Sequence, residues 1–298
     1  MFNYHLVALM LRSLVKASLL PLHDPRYWLL CIGAGLCAIH LTLVWRLDNL
    51  SLWCSSLLFW AATANLNWTK RHTLTFKASV AANAVGVILL GLVLIKTTAI
   101  TGGHFLQLYP LVVGLALALL ASGFWGIWQF RQELMLFFFL GVPGIIVPLL
   151  IDLSNLTARF STMLLWYLGF DVVRQGVNVY LPGGGVEVNP GCDGLQSMLQ
   201  VLGISVLCLT LLPVRWRWGH RLVLPLIALA VGFGVNGVRV ALMAVLVAEG
   251  KKPAFDYWHL GNGSLIFSMI AVLLFMLLCM SLLHNQLLAP TTPKRSQL

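Results

Sequence analysis

The chain has 298 residues, of which 59% are hydrophobic and only 9% are charged, and its mean hydropathy is +0.90. A soluble domain carries about a quarter charged residues, so this composition excludes an ordinary soluble protein and predicts a chain that folds in a lipid bilayer. The net charge of +10 does not indicate nucleic-acid binding, because the basic residues lie in short clusters between apolar runs, where they orient membrane helices.

A membrane-spanning helix needs about 20 apolar residues, and eight stretches of the chain meet this requirement. They predict an all-α polytopic membrane protein with about eight transmembrane helices. The second stretch is the weakest, because it contains several Ser, Thr and Asn residues. The predicted spans are 27–45, 50–68, 78–100, 105–128, 133–151, 193–212, 222–247 and 264–288.

The spans predict a single integral membrane domain over residues 1–298. It would consist of N-terminal helices (1–130), a core (131–288) and a short cytoplasmic tail (289–298). If the N-terminus is cytoplasmic, twelve of the 19 Lys and Arg residues fall on the cytoplasmic side and six on the other, with one inside a span. Lys and Arg favour cytoplasmic loops, so both termini are predicted in the cytoplasm of a multi-pass inner (plasma) membrane protein. The basic cluster RWRWGHR at 215–221 is the strongest single indicator.

Residues 152–192 depart from the pattern of long spans. Their apolar part, near 155–169, is short, so it either spans the bilayer or lies at its outer surface. The next segment places strand-forming Val and Tyr residues on both sides of a Pro-Gly-Gly-Gly turn at 182–185, which predicts a short β-hairpin. The charge distribution puts this hairpin on the extracytoplasmic side, directly before the sixth span.

One cysteine of the six differs from the others in its position. Cys192 lies in the sequence NPGCDGL, where a polar turn gives way to an apolar helix. The others lie inside apolar segments, where cysteine behaves as a small hydrophobic residue. They are Cys31, Cys37, Cys54, Cys208 and Cys279. No Cys-x-x-Cys spacing occurs, so neither a metal site nor a redox pair is predicted, and no organic cofactor is expected.

The predicted topology brings Cys192, Arg239 and His259 to the outer third of the membrane. A thiolate is a nucleophile, and a helix N-terminus or a nearby cation lowers the thiol pKa. His259 can accept the thiol proton and later protonate a leaving amine. Arg239 can fix the pair, bind a substrate carbonyl or stabilise an oxyanion. Structural alternatives remain open, since Arg239 can extend towards the interface and His259 can belong to an interfacial aromatic belt.

Three further residues are predicted to support or bind at this site. Asp193 places a negative charge in the first turn of the sixth span, which stabilises a helix N-terminus. Gly194 allows a close approach of backbone. Asn236 lies one turn before Arg239 and is suited to a hydrogen bond inside the helix bundle. Asp256, three residues before His259, is a weaker candidate for orienting the imidazole.

Three motifs resemble, in their order along the chain, those of the exosortase/archaeosortase family. Its members are polytopic membrane enzymes regarded as cysteine transpeptidases analogous to sortases. The resemblance covers about residues 130–288, and the first four spans fit only in general hydropathy. Asp after the cysteine, where Ser is more usual, resembles the cyanobacterial branch of the family. The motifs are Cys192-Asp193-Gly194-Leu195, Asn236-Gly237-Val238-Arg239, and His259 followed by Gly263 and Phe267.

The resemblance implies a function, a substrate class and catalytic roles for Cys192, Arg239 and His259. Family substrates are membrane proteins with a C-terminal sorting signal, made of a short Pro-Glu-Pro-like (PEP-CTERM) motif, one transmembrane helix and a basic cluster. The enzyme would cleave near the motif through a thioester on Cys192 and pass the product to an amine of a cell-surface acceptor. The sequence does not decide between this transpeptidation and hydrolysis by water. The sequence does not indicate an oligomeric state.

Two functions from other classes are also compatible with the sequence. An anion transporter would use Arg239 at mid-depth, although the chain shows no matching halves. A non-catalytic assembly subunit would use the hairpin as a docking surface. A carrier should tolerate Cys192→Ser and fail on Arg239→Ala, whereas a transpeptidase should not tolerate Cys192→Ser.

Overall fold

The computed structural model describes residues 24–99, 103–212, 218–259 and 262–287. The predicted cytoplasmic tail (289–298) and residues 215–217 of the basic cluster lie outside these ranges. The described part is mostly helical, as expected for a polytopic membrane protein. It forms two compact units, residues 1–141 and residues 142–298.

Each of the eight predicted spans is a helix in the structure, with ends that differ from the prediction by only a few residues. A 3₁₀ turn (Ile127–Phe130) separates the fourth helix from the fifth. The first unit and its boundary contain α1 (Pro25–Arg46), α2 (Leu50–Lys70), α3 (Val80–Thr98), α4 (Gly103–Gly126) and α5 (Arg131–Leu150). The second unit contains α6 (Ser154–Tyr167), β1 (Val173–Gln175), β2 (Asn178–Leu181), β3 (Gly184–Glu187), α7 (Leu195–Leu211), α8 (Trp218–Ala248), α9 (Lys252–His259) and α10 (Asn262–Leu287).

Five helical stretches in the described ranges are long and apolar enough to cross a membrane. They are Pro25–Arg46, Val80–Thr98, Gly103–Leu150, Trp218–Ala248 and Gly263–Leu282. The third stretch contains both α4 and α5, while α2 falls outside the set and α7 has only 17 residues. The polytopic character is therefore clear, and the count of eight spans stays a prediction. Helix α6, with 14 residues, is shorter than a typical span.

Side chains at the helix starts explain where α1, α2 and α3 begin. Asp24 accepts a hydrogen bond from the Arg26 amide, Asn49 from the Leu52 amide and Ser79 from the Ala82 amide. Each bond pairs an amide that has no partner within its own helix. Short polar residues therefore divide an almost continuous apolar sequence into separate helices.

A buried histidine stabilises the break that Pro110 makes in α4. Pro110 has no amide hydrogen, so the Leu106 carbonyl, four residues earlier, loses its helical partner. His40 Nε2 donates to this carbonyl at 2.9 Å, and His40 Nδ1 accepts from the Trp60 indole at 3.1 Å. His40 is fully buried, and both ring nitrogens are used, so the imidazole is neutral and structural.

The segment before α7 forms a three-stranded antiparallel sheet in the order β1-β2-β3, rather than the single hairpin that the sequence predicts. The turn between β2 and β3 contains Pro182 and Gly183, as expected. The additional strand arises because Gly176, with φ of 63°, provides a second tight turn between β1 and β2. Glycine at the first central position of a two-residue turn is a hairpin signal, and the prediction missed it.

Helix α8 is the central element of the second unit. It contacts α6, α7, α9 and α10 as well as strands β2 and β3. The sheet packs its apolar face on α6 and α8, which places its strands beside the residues that precede α7. The buried residues of this core are Ala158, Leu165, Val179, Leu181, Val188, Val240, Ala241, Met243 and Ala244.

Candidate active site

A tight turn holds Cys192 immediately before α7. The Cys192 amide donates to the Asn189 carbonyl at 2.8 Å, and the Gly191 amide donates to Asn189 Oδ1 at 3.0 Å. Cys192 is 6% exposed, although its neighbours Pro190 and Gly191 are exposed. The turn therefore directs a cysteine from a surface loop into the protein.

Asp193 connects the start of α7 to the start of α6. Its Oδ1 accepts from the Leu195 amide at 2.9 Å, and its Oδ2 accepts from the Leu153 amide at 3.2 Å. The Asp193 carbonyl accepts from the Thr157 hydroxyl at 2.7 Å. Asp193 therefore does more than place charge at a helix terminus, because its bonds fix the residue after Cys192 to a second helix.

Gly194 and Asn236 hold the backbone of the cysteine turn against α8. Asn236 Nδ2 donates to the Cys192 carbonyl at 2.8 Å, and Asn236 is buried. Gly194 has φ of 90°, and a Cβ at this position would lie 2.6 Å from Asn236 Nδ2. Only glycine combines this backbone conformation with the close approach of Asn236.

Loss of the Asp193 carboxylate should destabilise the fold measurably. Asp193→Ala leaves two amides without partners, and each unpaired buried group costs about 1–3 kcal/mol. We expect a loss of roughly 2–4 kcal/mol, and Asp193→Asn should recover about half of it through one retained acceptor. Thermal unfolding in detergent measures the effect. Asp171→Ala, which removes an exposed carboxylate, should stay within about 0.5 kcal/mol of the wild type. Equal stability of Asp193→Ala and the wild type would contradict this role.

Helix α9 brings the imidazole to the thiol. His259 is its last residue and is half-buried, and His259 Nε2 lies 3.3 Å from Cys192 Sγ. This is within hydrogen-bond distance for sulfur. The Phe255 ring, one turn earlier on α9, lies 5.0 Å from the imidazole and restricts its orientation. Asp256 is exposed and has no hydrogen bond to His259, so it does not orient the imidazole in this structure.

Arg239 joins α8 to the C-terminus of α9. Its Nε donates to the Trp258 carbonyl at 3.1 Å, and a terminal nitrogen donates to the His259 carbonyl at 2.8 Å. These carbonyls lie in the last turn of α9, where a helix lacks internal donors and favours a cation. Arg239 therefore fixes the backbone that carries the imidazole. Among the described residues, these bonds use two of its five N–H groups.

No described carboxylate forms an ion pair with Arg239, which is only 8% exposed. A buried charge is normally paired, because removing it from water costs several kcal/mol. The Cys192 thiol can become negative, and this guanidinium acts to lower its pKa. The site is therefore suited to stabilising a negative charge that forms during a reaction.

Burial nevertheless has the larger effect on the thiol. It raises the pKa of Cys192 above its ordinary value, while Arg239 and the Asn189 hydrogen bond lower it only in part. The expectation of a lowered pKa, based on the helix start and the nearby cations, is therefore not met in this structure. The resting pair is a neutral thiol beside an imidazole, and a base is needed to form the thiolate.

A cavity of about 310 Å³ opens beside Cys192 and His259. Residues 185–189 line it, together with apolar side chains from α8 and α9. The described residues contain no group of three or more His, Cys, Asp and Glu side chains that could hold a metal ion. The arrangement is suited to binding an organic substrate next to a thiol.

Comparison with models of protein families gives a match to the transmembrane exosortase family (Exosortase_EpsH) over residues 44–276, well over half of the chain. The chain belongs to the transmembrane exosortase family. Exosortases are cysteine transpeptidases, so this family member is a multi-pass membrane transpeptidase or protease of the exosortase type. No curated protein and no solved structure matches the chain.

The exosortase match extends further towards the N-terminus than the sequence motifs indicated. It begins near the end of α1 and includes α2, α3 and α4, for which only a general hydropathy resemblance was expected. It also includes Cys192, Arg239 and His259, which the structure places together. The sequence did not indicate Thr157 of α6, which donates to the Asp193 carbonyl from 36 residues away, and no local pattern marks it. It also did not indicate Phe255, for which the only signal was an aromatic residue one turn before His259 on the same helix.

Proposed function

We propose that Cys192 is the nucleophile, His259 the general base and acid, and Arg239 the cation that fixes His259 and stabilises developing negative charge. The observation that carries this assignment is the 3.3 Å contact between Cys192 Sγ and His259 Nε2 at the side of a cavity. A thiol within reach of an imidazole base is one of the arrangements that activate a cysteine nucleophile. The buried guanidinium of Arg239 supplies a positive charge that can stabilise the negative charge formed during the reaction.

In the first half-reaction, His259 removes the thiol proton and Cys192 Sγ attacks the scissile carbonyl carbon. The carbonyl oxygen becomes an oxyanion, and the N–H groups of Arg239 that remain free of described partners are available to it. The carbon–nitrogen bond then breaks, and the imidazolium gives its proton to the departing amine. The product is a thioester between Cys192 and the N-terminal part of the substrate.

In the second half-reaction, an amine of a cell-surface acceptor attacks the thioester carbonyl. His259 takes a proton from this amine, the carbon–sulfur bond breaks, and an amide forms. The departing thiolate regains a proton from the imidazolium. Water can replace the amine, in which case the product is a free carboxylate and the reaction is hydrolysis.

The proposed substrates are exported proteins with a C-terminal sorting signal of the PEP-CTERM type. Their single transmembrane helix can lie in the bilayer beside the enzyme and hold the preceding motif at the depth of Cys192. This confinement lowers the entropic cost of bringing the peptide bond to the thiol. We assign the sheet and the cavity to the extracytoplasmic side and both termini to the cytoplasm, because that orientation follows the distribution of Lys and Arg.

Trapping the thioester tests the proposal. A reporter domain that carries a motif, a transmembrane helix and a basic cluster is mixed with the full-length enzyme in liposomes without an acceptor amine, and the reaction is quenched in acid. We expect an adduct on Cys192 with the mass of the N-terminal product, which hydroxylamine releases. Mass spectrometry of the Cys192 peptide gives the readout.

Two results would contradict the assignment. One is an adduct on another residue. The other is complete turnover of the reporter by a Cys192→Ala variant. His259→Ala should accumulate the adduct much more slowly, because the thiol pKa is raised and the thiolate then forms without a base.

A further inference from the structure

Strand β3 has one edge without a partner strand in the described part of the chain. The sheet order β1-β2-β3 places β2 in the centre, so β3 pairs with β2 along one edge only. Unpaired strand edges present backbone donors and acceptors that another extended segment can bind.

The register shows which residues of β3 face away from β2. Val186 pairs with Val179, and beyond the strand the Val188 amide donates to the Val177 carbonyl at 3.1 Å. In an antiparallel ladder the bonded pairs alternate along the strand, so Val186 and Val188 direct their N–H and C=O groups to β2. Gly185 and Glu187 therefore direct theirs away from the sheet.

This free edge lines the same cavity as the reactive pair. Residues 185–188 form one side of the 310 Å³ space, and Cys192 and His259 lie on it as well. Its lining also includes Val240, Met243 and Val247 of α8 and Phe255 of α9. An extended peptide bound along β3 would thus run past the thiol, with alternate side chains against an apolar surface.

We propose that β3 is the substrate-docking strand: the extended segment of the substrate adds to the sheet as a fourth strand, through the outward backbone groups of Gly185 and Glu187. This inference rests on the proposed function for the identity of the peptide. The occupant is the segment that precedes the substrate's transmembrane helix. Helical structure must end there, because a peptide bond inside a helix is closed to attack and its backbone groups are already paired.

Docking of this kind recognises backbone rather than side chains. Gly185 contributes no side chain, and a Cβ there would lie 2.4 Å from the Tyr180 ring, so a larger residue does not fit at this position of β3. The apolar side chains of α8 and α9 would receive every second residue of the peptide. Substrates with different sequences could therefore bind, provided that their alternate side chains are small or apolar.

An N-methyl scan of the substrate tests the inference. Reporters with a synthetic tail carry one N-methyl group at successive non-proline positions around the cleavage site, since proline has no N–H to replace. Their affinity for the Cys192→Ala protein is measured by fluorescence anisotropy in nanodiscs. Strand pairing uses every second amide, so methylation at two positions separated by one residue should weaken binding about tenfold each. Methylation at the position between them should have little effect.

A pair of enzyme variants tests the same backbone contact by changing β3 instead of the substrate. Glu187→Pro removes the outward N–H without removing a bond to β2, and edge strands tolerate proline at such positions. Glu187→Ala removes the side chain alone. The ratio of the two dissociation constants therefore isolates the backbone group, and we expect it to be about ten. The thermal unfolding of both variants is compared to exclude a loss of the sheet.

The outcomes separate this inference from the proposed function. Alternating sensitivity with no cleavage by the wild type would support the docking strand and contradict the proposed chemistry. Cleavage with uniform or absent sensitivity would overturn the docking strand and leave the chemistry intact. If Glu187→Pro abolishes dimerisation of the enzyme without changing reporter affinity, the edge binds a second copy and the inference is wrong.

Discussion

Replacing Cys192 by alanine is expected to lower the rate of reporter cleavage by at least about 10³-fold, to the level of the uncatalysed background. The substitution removes the atom that forms the thioester, so neither the imidazole nor the guanidinium has a nucleophile to act on. Stability should change little, because a buried thiol is exchanged for a slightly smaller apolar group. Cleavage is measured in liposomes by the mobility of the reporter.

Cys192→Ser should be almost as inactive as Cys192→Ala. A serine hydroxyl is far less acidic than a thiol, and the burial that raises the pKa of Cys192 would also oppose an alkoxide. The oxygen is also smaller than sulfur, which lengthens the contact to His259 Nε2. An anion carrier would instead tolerate this variant, so the serine variant distinguishes the two classes of protein.

Cys208 provides the matched control. It is also buried in the second unit, on α7, with its Sγ 3.6 Å from Met276 Sδ. Cys208→Ala makes the same chemical change away from the cavity and should retain nearly full cleavage. Equal loss in both variants would mean that alanine disturbs the bundle, and full activity of Cys192→Ala would refute the nucleophile.

The helices could be predicted from the sequence because the length of an apolar run determines whether it forms a membrane helix. In a bilayer every backbone polar group must be paired within its segment, so a long apolar run has to be helical. Short polar residues such as Asn49 and Ser79 then mark where each helix begins. The number of spans does not follow from the helices alone. Helix α7 has only 17 residues, and α4 continues through a 3₁₀ turn into α5, so helices and spans do not correspond one to one.

The grouping of Cys192, Arg239 and His259 followed from topology, since each lies near the same end of its predicted span. The contacts among them did not follow. The sequence left three roles open for Arg239, namely fixing the pair, binding a substrate carbonyl or stabilising an oxyanion. In the structure the guanidinium donates to two carbonyls at the end of α9. Backbone acceptors have no sequence signature, so the two hydrogen bonds from Arg239 to these carbonyls could be found only from the structure.

Long-range effects explain the remaining differences. The bond from Asp193 to the Leu153 amide joins residues 40 positions apart, and no local pattern encodes it. The raised pKa of the Cys192 thiol reflects burial by the surrounding helices and sheet, which outweighs the favourable charges that were visible in the sequence. Local motifs therefore identified the candidate reacting groups, whereas tertiary packing raises the pKa of the Cys192 thiol.

Replacing Arg239 by glutamine is expected to lower kcat/KM for reporter cleavage about 10²–10³-fold. The change removes the buried positive charge and the bonds to the carbonyls of Trp258 and His259, so it affects both the oxyanion and the position of the imidazole. Arg239→Lys keeps the charge but cannot bridge two carbonyls with a planar fork, and should be intermediate. Arg159→Gln makes the same neutralising change on an exposed face of α6 and should leave cleavage near the wild-type rate.

The pH dependence of Cys192 alkylation separates an electrostatic role of Arg239 from a purely structural one. Burial raises the thiol pKa and Arg239 opposes this, so the wild-type rate should reach half its maximum at a pH above that of free cysteine, about 8.5. Removing the cation removes a lowering influence, so the midpoint of Arg239→Gln should move further towards alkaline pH, with Arg239→Lys between the two. Alkylation of the Cys192 peptide is followed by mass spectrometry. An unchanged midpoint in Arg239→Gln, together with lost cleavage, would leave Arg239 only the task of holding α9 in place, because its charge would then have no effect on the thiolate.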